Sequence, residues 1–120
     1  MLENLTISNH GDYLLTEFCG IFSETAGKQC IDAMIAAALE TNCRKVLLDC
    51  RKMTGAMPIM ARFQVAVYAA KTRETISKIA LLNRAEVILP DNFVENVAVN
   101  RGVNVKVHTD FDEALRWLLE

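Results

Sequence analysis

Many of the patterns that mark a particular chemistry are missing from this chain. It has no C-x-x-C pair, no G-x-S-x-G elbow and only two histidines, His10 and His108. Without paired cysteines or a histidine at zinc spacing, Cys19, Cys30, Cys43 and Cys50 do not form a recognisable metal site. Each lies within or beside an apolar pattern, so reduced and mostly buried thiols are expected. Cys50 stands out because it lies at a strand end. With no serine elbow and no histidine–acid partner, a serine hydrolase is excluded. Asp110 and Asp112 suit a helix N-terminus better than acid–base work. His108 lies near a strand end, where a site residue or an ordinary surface histidine both fit. Glycine is scarce where a phosphate loop would need it: Arg51-Lys52-Met53-Thr54-Gly55-Ala56 holds one, so neither a P-loop nor a dinucleotide fingerprint is present. No cofactor, metal or enzymatic activity is expected.

Charge of one sign is not in excess either. The formal net charge is −2, which gives no whole-chain nucleic-acid footprint. Apolar runs such as Ala33 to Leu39 are far too short to cross a bilayer, so no membrane insertion is expected. The N-terminus lacks a basic n-region followed by an apolar core, so no signal peptide is expected, and a bacterial cytoplasmic location follows as the working expectation. There is no repeat, low-complexity segment or linker. Residues 62–84 carry five basic side chains against Glu74, and the segment from Ala85 onward is acidic. That asymmetry could steer a partner, and it equally suits an ordinary solvated surface.

What is present is an apolar, patterned chain of one domain's length, residues 1–120, with 52% hydrophobic residues. Leu2 to Ser8 and Tyr13 to Cys19 read as strands joined by the turn-forming Asn9-His10-Gly11-Asp12. Ser23 is a candidate N-cap, with Glu24 and Lys28 at i,i+4 spacing. Ala26, Cys30, Ala33, Met34 and Ala37 mark the inner face of a helix running to about Glu40. Lys45 to Cys50 and Lys78 to Asn83 are short strands apolar on both faces. Between them a helix starts at Pro58 and runs to about Thr75, with Ile59, Phe63, Val67 and Ala70 inward. The segment 84–90 fits an extended stretch, a helical turn or a loop. Asp91 is expected to cap a short helix with Phe93, Val97 and Ala98 inward and Gly102 at its C′ position. Val103 to His108 alternates as a last strand. Asp110 with Glu113 resembles a capping box for a final helix striped by Phe111, Ala114, Leu115 and Leu118.

The order is β-β-α-β-α-β-α-β-α. It implies an α/β fold: a mixed, mostly parallel sheet opened by a β-hairpin, with helices packed on it. Ligands and partners of such sheets meet the protein where a central strand ends and a helix begins. Here that place is the junction after Val46-Leu47-Leu48-Asp49. Arg51 and Lys52 put positive charge there, suited to a phosphate, to a partner's carboxylate or simply to water. Met53, Met57 and Met60 surround it as an adaptable contact surface or as core filler.

Taken together, these features resemble the STAS domain, the fold of anti-sigma-factor antagonists and of the cytoplasmic tails of sulfate transporters. The resemblance covers nearly the whole chain. It rests on Phe18-Cys19-Gly20, Val46-Leu47-Leu48-Asp49, Met53-Thr54-Gly55, Lys78-Ile79-Ala80-Leu81-Leu82, Val105-Lys106-Val107 and Asp112-Glu113-Ala114-Leu115-Arg116-Trp117-Leu118. The last of these looks most like a divergent branch of STAS-like proteins. The resemblance implies a non-enzymatic regulatory module that binds a protein, such as an anti-sigma kinase or another regulator. In anti-sigma-factor antagonists the equivalent loop reads Asp-Ser-Ser/Thr-Gly, and phosphorylation of the first serine abolishes binding. Aligned on Gly55, Lys52 takes the Asp position, Met53 the serine and Thr54 the next hydroxyl, so the serine switch is absent. Thr54 could receive the phosphate if the loop is offset by one. The expected partner face comprises Asp49, Arg51, Lys52, Met53, Thr54, Gly55 and Met57. The alternative is a small-ligand domain for a nucleotide, anion or lipid, using a crevice at the end of strand 46–49 beside Asp49 and Arg51. A homodimer through the hairpin edge is also open.

Overall fold

A computed structural model of the chain describes residues 4–120. Strand β1 (Leu5–Asn9) pairs antiparallel with β2 (Leu14–Ile21). The hairpin turn uses Gly11 at φ 88°, and the Gly11 N–H donates to Asn9 Oδ1 at 2.9 Å. Leu2, assigned to the first strand from sequence, lies outside the described residues.

Helix α1 (Glu24–Thr41) begins where the sequence places it: Ser23 Oγ accepts the Ala26 N–H at 3.0 Å, and Lys28 pairs with Glu24 at 2.8 Å. Strand β3 (Lys45–Thr54), helix α2 (Ile59–Tyr68) and strand β4 (Lys78–Leu82) follow, then α3 (Phe93–Val99), β5 (Val105–His108) and α4 (Phe111–Leu119). Gly102, at φ 88°, ends α3 in a Schellman turn: Val103 N–H donates to Ala98 O at 3.1 Å and Gly102 N–H to Val99 O at 3.0 Å. Asp110 Oδ2 accepts the Glu113 N–H at 2.9 Å and caps α4.

The five strands lie in the order β1-β2-β3-β4-β5, parallel from β2 onward. The mixed, mostly parallel α/β sheet expected from the element order is therefore present. One face carries α1, α2 and α3. There Leu14, Phe18, Val46 and Ile79 pack with Cys30, Met34 and Ala98. The other face carries α4, with Leu47, Ala80 and Leu82 against Ala114 and Leu118. Both faces of β3 and β4 are thus covered, which is why their sequences are apolar throughout.

Four local expectations are corrected. β3 does not stop at Cys50; it runs on to Thr54 because β2 continues beside it, with Cys19, Gly20 and Ile21 opposite Lys52, Met53 and Thr54. α2 ends at Tyr68 and not near Thr75. A 3-10 turn, Ala69–Thr72, replaces its last part, and Thr72 Oγ1 turns back to Ala69 O at 2.7 Å. The inner face of α2 centres on Ala66, while Ile59 points to solvent. This helix is apolar around most of its circumference, so periodicity does not single out a face. Asp91 does not cap α3 with its side chain; it lies in a 3-10 turn, Pro90–Asn92, with Ala85–Val87 forming another just before it.

Candidate functional site

At Asp49 the sheet changes character. Between Glu17–Asp49 and Cys19–Lys52 the register slips, with one more residue on β3 than on β2. This is a β-bulge, uncommon between parallel strands, and bulges re-aim the side chains that follow them. Asp49 Oδ1 accepts the Arg51 N–H at 3.0 Å, supplying the partner that the interrupted ladder withholds. The same carboxylate receives the Arg51 guanidinium from Nε at 3.0 Å and Nη2 at 2.9 Å. Burial raises the Asp49 carboxyl pKa, but these bonds outweigh it and hold the group below the usual carboxylate range. Arg51 also lies over the Phe111 ring at 5.9 Å, tying the bulge to α4. Both basic residues are exposed, but the Arg51 charge is committed to Asp49, while Lys52 has no ion-pair partner among the described residues.

Beyond the bulge β3 alternates as a strand must, and the sequence-predicted face divides. Lys52, Thr54 and Gly55 are exposed, while Met53 and Met57 are half-buried and turned toward the helices. Gly55 has φ 84°, and a Cβ there would meet Ile21 Cγ2 at 3.1 Å. Thr54 O accepts the Phe22 N–H at 3.0 Å, and Met53 O accepts Arg84 Nη2 at 3.0 Å where β4 no longer reaches. Ile21, Ile59 and Met60, 72%, 55% and 64% exposed, lie on the segments that form this rim. These three exposed apolar side chains add apolar surface to the segments on either side of the strand-to-helix junction. The sequence pattern hid Ile21 by placing it after the strand and Ile59 by placing it inside the core.

Behind the rim is a cavity of about 170 Å³. The sheet provides its floor with Leu48, Cys50, Ile79, Leu81, Val105 and Val107. Its roof is formed by Val65 and Ala66 of α2 and by Ala69 of the 3-10 turn that follows, with Met34 from α1 and Phe93 from α3 at the sides. α2 packs chiefly on α1 and α3 and stands off the sheet. It approaches α1 closely at Gly27, where a Cβ would lie 2.7 Å from Val65 Cγ2. Ala66 and Ala69 are too short to fill the space left below. Burial pushes the Cys30 thiol up to about 12 and that of Cys50 further, so both line the cavity as neutral apolar groups. Asp49 and Arg51, beside which a crevice was expected, face α4, on the opposite side of β3 from this cavity.

One cation borders this apolar space. Arg62 Nε donates to Met57 O at 2.9 Å and Nη1 to Val87 O at 2.6 Å, strapping α2 to segment 85–92. Nothing in the sequence reading singled it out, although a basic residue three before Val65 and four before Ala66 was a usable signal. His108 is half-buried, tilted against Trp117 at 5.6 Å between ring centres, and its Nε2 has no hydrogen-bond partner. Burial first, then Lys106, lowers its pKa. Among the described residues no His, Cys, Asp or Glu cluster could hold a metal ion, and no helix is long and apolar enough to cross a membrane.

The sequence matches no family model and none of the curated proteins. Solved structures are similar in fold. One is a DUF3478-family protein with a SpoIIAA-like fold from Shewanella loihica PV-4, at TM-score 0.60 and 18% identity, covering 95% of this chain and 91% of that one. The chain has the SpoIIAA-like fold. A second, an anti-sigma factor antagonist from Mycobacterium paratuberculosis, gives TM-score 0.63 and 13% identity over 97% of this chain and 93% of that one. The STAS-like architecture suggested by the residue motifs is therefore present, and the rim and cavity described above are features of a SpoIIAA-like domain.

Proposed function

We propose that this SpoIIAA-like domain is a non-enzymatic regulatory module that binds a protein partner through the rim after the β3 bulge. The carrying observation is the exposed set Lys52, Thr54, Gly55, Ile21, Ile59 and Met60, which combines apolar anchors with polar and charged neighbours. Asp49 and Arg51 fix the bulge that presents this set, and Met53 and Met57 support it from beneath. The structural similarity to an anti-sigma factor antagonist supports a protein partner. Met53, at the position of the switch serine in the STAS resemblance, carries no hydroxyl and faces inward, which supports a module without serine switching. Thr54 offers an exposed hydroxyl at the junction, and a phosphate on it would place about two negative charges among the anchors.

Affinity capture from source-cell extract tests this reading, using wild type beside Thr54→Asp and Ile21→Glu. A protein retained by wild type and depleted about tenfold in both variants supports the rim. Identical captured sets from all three remove it.

A further inference from the structure

The cavity under α2 has features that a passive packing defect does not need. Its walls are almost wholly apolar, yet two half-buried charged residues border it, Arg62 and Glu95, and the Glu95 carboxylate accepts the Val107 N–H at 2.8 Å. Arg62 has no carboxylate within ion-pairing distance among the described residues, and its hydrogen bonds go to two backbone carbonyls. Those bonds use two of the guanidinium's five N–H donors. A partly desolvated cation without a counter-charge is unfavourable, and an anion placed against it restores the balance.

The way in is also specialised. Of the residues around the cavity only Asn92 is exposed, the rest being buried or half-buried, which places the opening at segment 85–92. Asp91 and Asn92 there are consecutive left-handed residues at φ 58° and 54°. Two such non-glycine residues in a row are uncommon, and backbone held this way collects at ligand clamps. Arg62 grips Val87 of the same segment, so cation, opening and strained backbone belong to one assembly.

We propose that this cavity binds a small amphiphilic monocarboxylate, with its apolar tail under α2 and its carboxylate on Arg62. The space of about 170 Å³ slightly exceeds the 150 Å³ or so of an apolar cavity that takes benzene, which suits a tail of roughly six to eight carbons. The carboxylate would meet the guanidinium in the geometry that makes arginine–carboxylate pairs strong. This site lies behind the protein-binding rim and stands whether or not the rim binds a partner.

Isothermal titration calorimetry with octanoate, octanol and acetate separates tail from head group. Wild type should bind octanoate at least tenfold more tightly than octanol, and acetate not measurably. Arg62→Gln should bring octanoate down to the octanol level. Ala66→Leu, which fills the cavity from α2, should lose both ligands while melting at the same or a higher temperature; Ala69→Leu serves if Ala66→Leu does not fold. Octanoate binding no better than acetate overturns the site. Octanol matching octanoate in wild type overturns the role of Arg62, a comparison that needs no variant. Undiminished octanoate binding in a folded cavity-filled variant places the ligand elsewhere and also overturns the proposal.

Discussion

The carboxylate of Asp49 takes three hydrogen bonds from Arg51, one from its backbone N–H and two from its guanidinium. A single pair thereby closes the β-bulge and directs the next residues of β3. Asp49→Ala should leave the Arg51 N–H without its acceptor and lower stability by about 1–2 kcal/mol, a figure reduced for the solvent exposure of Arg51. Urea denaturation should show the loss, with amide exchange at Lys52 to Thr54 accelerating as the strand end loosens.

Acid should destabilise the domain in two steps. Burial depresses the His108 pKa, so as pH falls through about 6.5 the unfolded chain takes up a proton before the folded one and stability declines. The Asp49 pKa is also depressed in the folded state, so its contribution is present above about pH 4 and is lost as pH falls through the lower folded value. Exposed Asp32, lowered by Tyr68 and Lys71, adds to the second step. Urea midpoints measured from pH 8 to pH 2.5 should show the upper step vanish in His108→Gln and the lower step shrink in Asp49→Asn.

Thr16 is fully buried and its hydroxyl has no hydrogen-bond partner. Thr16→Val keeps the shape and removes the unpartnered group. It should raise stability by about 1 kcal/mol, read from the shift of the denaturation midpoint at constant slope.

Gly27 lets α1 and α2 approach. Gly27→Ala gains about 1 kcal/mol of helix propensity but drives a Cβ to 2.7 Å from the stiff Val65. Overpacking of about 1–3 kcal/mol should win, giving a net loss of about 1 kcal/mol. Adding Val65→Ala should recover part of that loss in a double-mutant cycle, because the two side chains touch.

Much of this architecture was legible in local chemistry. Ser23, Asp110 and Gly102 declare their helix ends by hydrogen bonds formed within a few residues, and the doubly covered β3 and β4 declare themselves by unbroken apolar runs. The failures at the site depend on distant partners. Arg51 to Thr54 look like a polar loop until β2 is seen continuing beside them, and that extension splits the expected partner face between solvent and interior. The cavity arises from the stand-off of α2, set by Gly27 against Val65 and by the short Ala66 and Ala69, a relation between helices that periodicity in one of them does not encode.

The most direct test of the rim is a hydrogen-exchange footprint of the domain bound to its captured partner. The account predicts slowed exchange from Lys52 to Met60 and around Ile21, with α4 unchanged. Protection confined to α4 or to β1, with residues 52–60 exchanging as in the free domain, would contradict it.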